Sequence, residues 1–334
     1  MIPIENSDEV VRALWEAFGV TEFEAIRPLT AGLSKALVFR IVVRGRPYVL
    51  RIVVKRGGAA GPGQGDQRYH FACMRVAAEA GIAPRLRYAS VEDGISIADF
   101  VERGPFPRTT ALALVPATLQ RLHAGPPFPS SRTVNYLDTM NGFVEKLQAA
   151  AILPETEAAE IFDLYAQVKD AYRRVDSDMV PSHNDLKPEN ILFDGERVWL
   201  VDWEAAFTND RYLDLAVAAN FVVTNAAEEE AYLRTYFGEP AGRYRQARFH
   251  LMGQFLHMFY AAFLMTVGAT GKPIELNAKA PDFRNFHDRI WAGEVSLGSA
   301  EAKLQYARVH VNQFLQNARE ARFHDALRIV SIGR

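Results

Sequence analysis

One cysteine, Cys73, occurs in 334 residues, which excludes an intramolecular disulfide and any metal site built from several thiolates. A reducing compartment, the cytoplasm, is the setting this implies. No run approaches the roughly 18 uncharged apolar residues of a membrane span. The first residues, MIPIENSDEVVRAL, are mixed and acidic rather than a basic stretch followed by an apolar segment. Neither export nor membrane insertion is expected. Net charge is nearly absent as well: 38 basic residues stand against 40 acidic ones. No long-range field therefore draws the chain to nucleic acid or to an anionic membrane, and neither partner is expected. Repeats and low-complexity tracts are missing too. What remains is ordinary globular composition, 49% hydrophobic and 23% charged, long enough for one large domain or two modest ones.

The pattern along the chain changes character once. Asn6-Ser7-Asp8-Glu9 reads as a capped helix start, with Val10, Val11, Leu14, Trp15 and Phe18 following at helical spacing up to Gly19. From residue 25 to 54 the pattern is that of strands: AIRPLT, ALVFRIVV and PYVLRIVV, the last two joined by a turn at 44–47. The stretch RGGAAGPGQGD, 56–66, has five glycines and reads as a loop; it lacks the Gly-Lys-Ser/Thr ending of a Walker loop. A helix over 67–81, closed by Gly81, and two more strands, RLRYASV and ISIADFV, complete a β-rich segment. Beyond about residue 104, helical periodicity dominates over 109–123, 136–151, 156–175, 210–237, 241–267 and 300–320.

One stretch in the helical part is different. PSHNDLKPENILF, 181–193, runs through the turn pair Asp194-Gly195 into RVWLVD, so that two short apolar runs flank a hairpin turn. Such a hairpin brings Asp185 and Asn190, before its first strand, to the same end as Asp202, after its second. Three oxygen-bearing side chains then converge. Oxygen ligands suit magnesium, which takes one or two protein groups and completes its shell with water and phosphate. Asp, Asn and Pro are also common turn formers, so a polar turn is the plainer alternative. The second carboxylate at a hairpin-compatible distance favours the metal reading.

His183-Asn184-Asp185-Leu186-Lys187-Pro188-Glu189-Asn190, followed by Val201-Asp202-Trp203-Glu204, resembles the catalytic and metal-binding segments of the protein-kinase-like superfamily. More narrowly, it is similar to the aminoglycoside phosphotransferase and choline/ethanolamine kinase families, in order from about Leu29 to Phe221. The resemblance implies an α+β, bilobal protein-kinase-like fold: a small antiparallel β-sheet N-lobe over 1–101 that binds nucleotide, and a larger, mainly helical C-lobe over 102–334 that carries the catalytic loop and acceptor site. It implies an ATP- and Mg2+-dependent small-molecule kinase.

Carried over residue by residue, Asp185 stands at the catalytic aspartate, which orients the acceptor hydroxyl and takes its proton. Asn190 and Asp202 stand at the metal positions. Lys187 matches a lysine that touches the γ-phosphate, with a solvated Lys as the alternative, and His183 matches a framework position. In the loop 30–35, Gly32 and Ser34 would face the nucleotide phosphates. Arg51 takes the place of the strand cation, and Asp99, Phe100 and Val101 that of the hinge that offers backbone groups to adenine. The helix carboxylate that pairs with the strand cation in relatives is missing: His70 stands near its position, with Asp66 and Glu79 as imperfect substitutes.

Glu204 follows Asp202 as in choline kinases and is expected on the acceptor side. Asp214 is expected to anchor the catalytic loop. Phe255, Phe259, Tyr260, Phe263 and Trp291 offer rings for a quaternary ammonium by cation–π attraction, or simply a helical core stripe. The acceptor implied is a small alcohol or amino alcohol of the choline/ethanolamine kind. An aminoglycoside or sugar is the alternative within the family, and a non-catalytic nucleotide-binding protein the alternative outside it. No Ala-Pro-Glu follows Asp202, which disfavours a protein kinase.

Overall fold

The computed structural model describes residues 7–29, 36–53, 67–129, 136–268 and 280–333. The loop 30–35, with Gly32 and Ser34, lies outside the described residues, as does the glycine-rich 56–66 with Asp66. The chain divides into two compact units. One comprises Met1–Phe106, Ala124–Arg132 and Glu189–Phe207; the other comprises Pro107–His123, Thr133–Pro188 and Thr208–Arg334.

The first unit holds the expected antiparallel sheet. Helix α1, Ser7–Phe18, buries Val10, Ala13 and Leu14 and leaves Val11 and Trp15 exposed. Strands β1 (Ala25–Pro28), β2 (Leu37–Val43) and β3 (Arg46–Ile52) form the meander. The turn between β2 and β3 is tighter than the predicted 44–47. Only Arg44 and Gly45 loop out, with φ of 51° and 72°, a pair of left-handed residues that matches the twist of a two-residue hairpin. Pro47 lies inside β3, opposite Val42, at a position ahead of the pairing with the next strand, where its missing N–H costs no ladder bond. Helix α2 (Gln67–Glu79) and strands β4 (Leu86–Ser90) and β5 (Ile95–Asp99) follow, giving the order β1-β2-β3-β5-β4. Alternate residues of β2, β3 and β5, among them Ile41, Leu50 and Ile97, are fully buried in one core with α1. That alternation is the period-2 signal read in the sequence.

The second unit is larger and mainly helical. Its helices are α3 (Arg108–His123), α4 (Tyr136–Ala150), α5 (Glu155–Ala171), α6 (Arg211–Val222), α7 (Ala226–Phe237), α8 (Arg243–Gly268), α9 (Phe283–Trp291), α10 (Ala300–Ala318) and α11 (Ala321–Ile332). The 26-residue α8 packs against α4, α5, α6, α10 and α11. The periodic stretch 210–237 is two helices, because Asn225 caps α7 by accepting from Glu228 N at 3.0 Å while the Glu228 carboxylate accepts from Thr224 N at 2.9 Å. Helix α9 is absent from the sequence-based expectation; it is short, and its signal is the cap at Asp282, which accepts from Asn285 N at 2.9 Å.

A buried arginine ties the base of the second unit together. Arg248 of α8 is 1% exposed and donates to Asp210 at 2.6 Å and to the Arg173 carbonyl at 2.9 Å, with Asp178 at 3.1 Å and the Tyr172 ring 4.0 Å beneath its guanidinium. Asp210 caps α6 at the end of strand β9, Phe207–Asp210, which pairs with β6, Met179–Ser182. β6 leads directly into the stretch of interest.

Candidate functional site

In the second unit, the loop after β6 is clamped from beneath. Asp214, fully buried on the first turn of α6, accepts from the backbone N–H of His183 at 2.8 Å and of Asn184 at 2.7 Å. His123 Nε2 lies 3.1 Å from the same carboxylate, and its Nδ1 lies 2.7 Å from the Tyr236 hydroxyl. Burial alone would push the Asp214 carboxyl up; the bond from His123, the nearby imidazoles and the backbone donors outweigh it and hold the group below the ordinary carboxylate range. The clamp therefore stays charged.

Asn184 sits in the left-handed region, φ 65°, which Asn tolerates better than most residues, and its side chain accepts from Asn209 Nδ2 at 2.7 Å and donates to Ser182 O at 3.3 Å. His183 is fully buried, in keeping with a framework role. What the clamp presents is Asp185: half-exposed, with Lys187 Nζ donating to its Oδ2 at 2.9 Å.

Aromatic side chains of the same unit lie close enough to Asp185 to feel it. The phenols of Tyr136 and Tyr260 are held above their ordinary range, first by burial and then, among other groups, by the Asp185 and Asp214 carboxylates. Tyr136 packs on Phe259 at 5.9 Å, and Phe259 stacks on Phe263 at 5.9 Å; both of those phenylalanines meet Phe143. Phe259, Tyr260 and Phe263 are half-buried, whereas Phe255 is core, wedged against Tyr165 and Tyr172. Trp291 is half-buried at the end of α9. Tyr136 was not singled out in the sequence; its place at the start of α4, after a Pro- and Ser-rich stretch, offers no local signal.

Between Pro188 and Glu189 the chain passes into the first unit. There β7 (Ile191–Phe193) and β8 (Val198–Leu200) form the expected hairpin. Asp194 sets its turn, accepting from the N–H groups of Glu196 at 2.9 Å and Arg197 at 2.8 Å and from the Trp199 indole at 2.7 Å. The backbone continues the ladder one step further, Val201 N to Asn190 O at 3.0 Å, so Asn190 and Asp202 stand at the same end. Asp202 has φ 66° and opens a single 3-10 turn, Trp203–Ala205. That turn is fixed: Trp203 is buried, donates to Leu200 O at 3.0 Å and meets Phe128 edge-on at 6.3 Å, and α2 packs against the turn.

Glu204, expected on the acceptor side, is instead ion-paired with Arg51. Burial lowers the Arg51 pKa from its ordinary value and Asp202 opposes that shift, so the guanidinium remains a cation facing two carboxylates of one turn. The strand cation thus has a carboxylate partner from the 3-10 turn, while His70 is buried on α2 and Glu79 is exposed at that helix's end. At the end of β5, the Asp99 side chain is engaged by Arg87 at 2.6 and 3.0 Å, the Phe100 ring lies 5.1 Å from the Arg40 guanidinium, and Val101 is half-buried. The Asp99 N–H is taken as well, donating to the Arg85 carbonyl at 2.9 Å.

Two oxygen-bearing side chains, Asn190 and Asp202, at one end of a rigid hairpin fit a magnesium ion that keeps most of its shell for water and phosphate. Among the described residues no three His, Cys, Asp or Glu side chains gather into a metal cage. Likewise, no described helix is long and apolar enough to cross a membrane.

Comparison with known proteins points the same way. A segment of 82 residues, 24% of this chain and 24% of the relative, is 28% identical to protein LicA of Haemophilus influenzae, so the match spans about a quarter of that protein's length. Among solved structures, a choline/ethanolamine kinase family protein from Mesorhizobium loti superposes with a TM-score of 0.67 over 98% of this chain and 100% of that one, at 21% identity. A spectinomycin phosphotransferase solved with ADP and spectinomycin gives a TM-score of 0.57 over 91% and 98% of the two chains, at 12% identity. At these identities the two structures establish a shared protein-kinase-like fold. Residues 25–250, well over half of the chain, match the model of the phosphotransferase enzyme family, and the chain belongs to that family.

Proposed function

We propose that the protein transfers the γ-phosphoryl group of ATP to a hydroxyl of a small amino alcohol of the choline/ethanolamine kind. The observation that carries this reading is Asp185 itself. A half-exposed carboxylate is held on a loop clamped by a buried, charged Asp214, with half-buried aromatic rings near it.

An alcohol is a poor nucleophile until its proton has a destination. Asp185 orients the hydroxyl and accepts that proton as the oxygen–phosphorus bond forms and the bond to the leaving ADP breaks. Lys187 donates to the Asp185 carboxylate at 2.9 Å and holds it in position. On the nucleotide side, Arg51 supplies a half-buried cation for phosphate oxygens, and Glu204 holds it in place. Asn190 and Asp202 would hold magnesium, which when bound neutralises charge on the phosphates. Gly32, Ser34 and the backbone of Asp99, Phe100 and Val101 complete the nucleotide side of the proposal. On the acceptor side, Tyr260 and its neighbours Tyr136, Phe259 and Phe263 offer π faces for an ammonium group, and Trp291 is a further ring in the same unit.

An aminoglycoside acceptor is the second reading, favoured by the likeness to the spectinomycin phosphotransferase. An ATP-consumption screen of the purified protein across amino alcohols, sugars and aminoglycosides separates the two. Turnover confined to aminoglycosides would replace the first reading with the second, and turnover on none of them would count against both.

A further inference from the structure

The turn that delivers Asp185 is held in an uncommon shape by an uncharged pair of side chains in the second unit. Asn184 has φ 65°, in the left-handed region that residues other than glycine enter at a cost and keep only where their surroundings fix them. The peptide plane ahead of it is set by Asp214, which accepts from the N–H groups of His183 at 2.8 Å and of Asn184 at 2.7 Å. Both of those groups lie before the N–Cα bond of Asn184. Because a peptide unit is planar, the soft freedom left at that point is rotation about φ and ψ of Asn184, and this rotation decides where Asp185 goes. Asp214 fixes the approach to the turn and not the turn itself.

The side chain of Asn184 leaves from Cα, so holding it holds φ. Its amide donates to the Ser182 carbonyl at 3.3 Å, and its oxygen accepts from Asn209 Nδ2 at 2.7 Å. The second bond is the shorter, and it comes from a different strand. Asn209 lies in β9, which pairs with β6, and its carbonyl faces the Ser182 hydroxyl at 3.4 Å. The next residue, Asp210, is gripped by Arg248 at 2.6 Å. The Asn209 amide therefore stands on a firmly anchored strand, and with Asn184 7% and Asn209 4% exposed, water competes little for the bond. Beyond the turn, the Asp185 N–H meets His183 Nδ1 at 3.4 Å, too long a contact to take over that task.

We propose that Asn209 is a positioning residue: through the side chain of Asn184 it fixes the angle at which the chain presents Asp185. It touches no reacting group. The proposal rests on the reading of Asp185 as the proton acceptor, and a displaced carboxylate would slow the transfer while leaving nucleotide binding as it is. The rival is that Asn209 only ties β9 to β6.

Amide hydrogen exchange and turnover are measured on the full chain as the parent, Asn209→Ala, Asn184→Gly and the double variant. Glycine takes a positive φ freely, so Asn184→Gly folds but offers no side chain for Asn209 to hold. Asn209→Ala is expected to speed exchange across 183–187 by about fivefold or more while α8 exchanges as in the parent. It is also expected to lower kcat on the best acceptor by about tenfold or more, with ATP affinity unchanged. In the glycine background the same substitution is expected to change neither quantity by more than about twofold. Should Asn209→Ala fail to fold, Asn209→Ser, whose hydroxyl stops short of Asn184, carries the same expectations. Exchange or turnover matching the parent's would overturn the proposal. So would an equal effect in both backgrounds, which is the mark of a role confined to the sheet. A parent that turns over no acceptor would instead refute the phosphoryl-transfer reading, and the exchange measurement then decides by itself whether Asn209 holds the turn.

Discussion

Acidification from pH 7 to pH 5 is expected to cost the fold about 6 kcal/mol, through three imidazoles of the second unit. His250, His257 and His287 are each depressed from 6.5 to about 3, in every case first by burial. The hydrogen bonds explain why the neutral forms are required. His287 Nδ1 must donate to the Phe283 carbonyl at 2.8 Å, so Nε2 is the acceptor for the Tyr306 hydroxyl at 2.9 Å, and a second proton there would break that bond. His257 and His310 share one proton between their Nδ1 atoms, 2.9 Å apart. His310 is depressed as well, which adds to the effect.

A folded-state pKa below the unfolded one means that the unfolded chain binds protons first as pH falls. The stabilisation is complete above pH 6.5 and is lost progressively toward pH 3. With 1.36 kcal/mol per pKa unit, each group accounts for about 2 kcal/mol between pH 7 and pH 5, and the slope approaches about 4 kcal/mol per pH unit for the three. Against a total stability of roughly 5–15 kcal/mol this is decisive. Urea unfolding followed by circular dichroism at pH 7, 6 and 5 measures it. His250→Gln should recover about 2 kcal/mol at pH 5 relative to the parent. A stability that stays flat from pH 7 to pH 5, or a slope unchanged by that substitution, would refute the reasoning.

Three other perturbations probe separate parts of the molecule. Asp202→Ala is expected to abolish the magnesium dependence of ATP binding, read by calorimetry with and without the metal; identical affinities in variant and parent would remove Asp202 from the metal site. Asp214→Ala strands two backbone N–H groups and His123, so a loss of about 3 kcal/mol or more is expected in denaturant melts, with turnover falling before the protein unfolds. A drop below about 1 kcal/mol would show that the clamp is dispensable. Arg248→Met leaves Asp210 buried without its cation and should destabilise by about 3–5 kcal/mol, whereas a variant that melts with the parent would mean the pair contributes nothing.

Much of the first unit was legible because its signals are local. The alternation in β2, β3 and β5, the Asp194-Gly195 turn and the Gly81 terminus each depend on residues within a few positions of one another. The same holds for the family of the chain, which the residue types of the loop 181–193 announce. What could not be read was tertiary. Glu204 and Arg51 are 153 positions apart, and nothing in either neighbourhood says that the carboxylate two places after Asp202 will meet a strand cation. Tyr136, His123 and Asn209 reach the Asp185 loop only through helix packing and the pairing of β9 with β6. The break between α6 and α7 was visible in principle, as Asn225-x-x-Glu228, but continuous helical periodicity on both sides masked it.

The most direct test of phosphoryl transfer at Asp185 is turnover of the parent and of Asp185→Ala on the best acceptor from the panel of amino alcohols, sugars and aminoglycosides, with ATP affinity measured on both proteins. Measurable turnover of an amino alcohol by the parent, a loss of about 10²- to 10⁴-fold in the variant, and little change in ATP affinity are the predicted results. Equal turnover in the two proteins, or no phosphoryl transfer to any acceptor by the parent, would contradict the account.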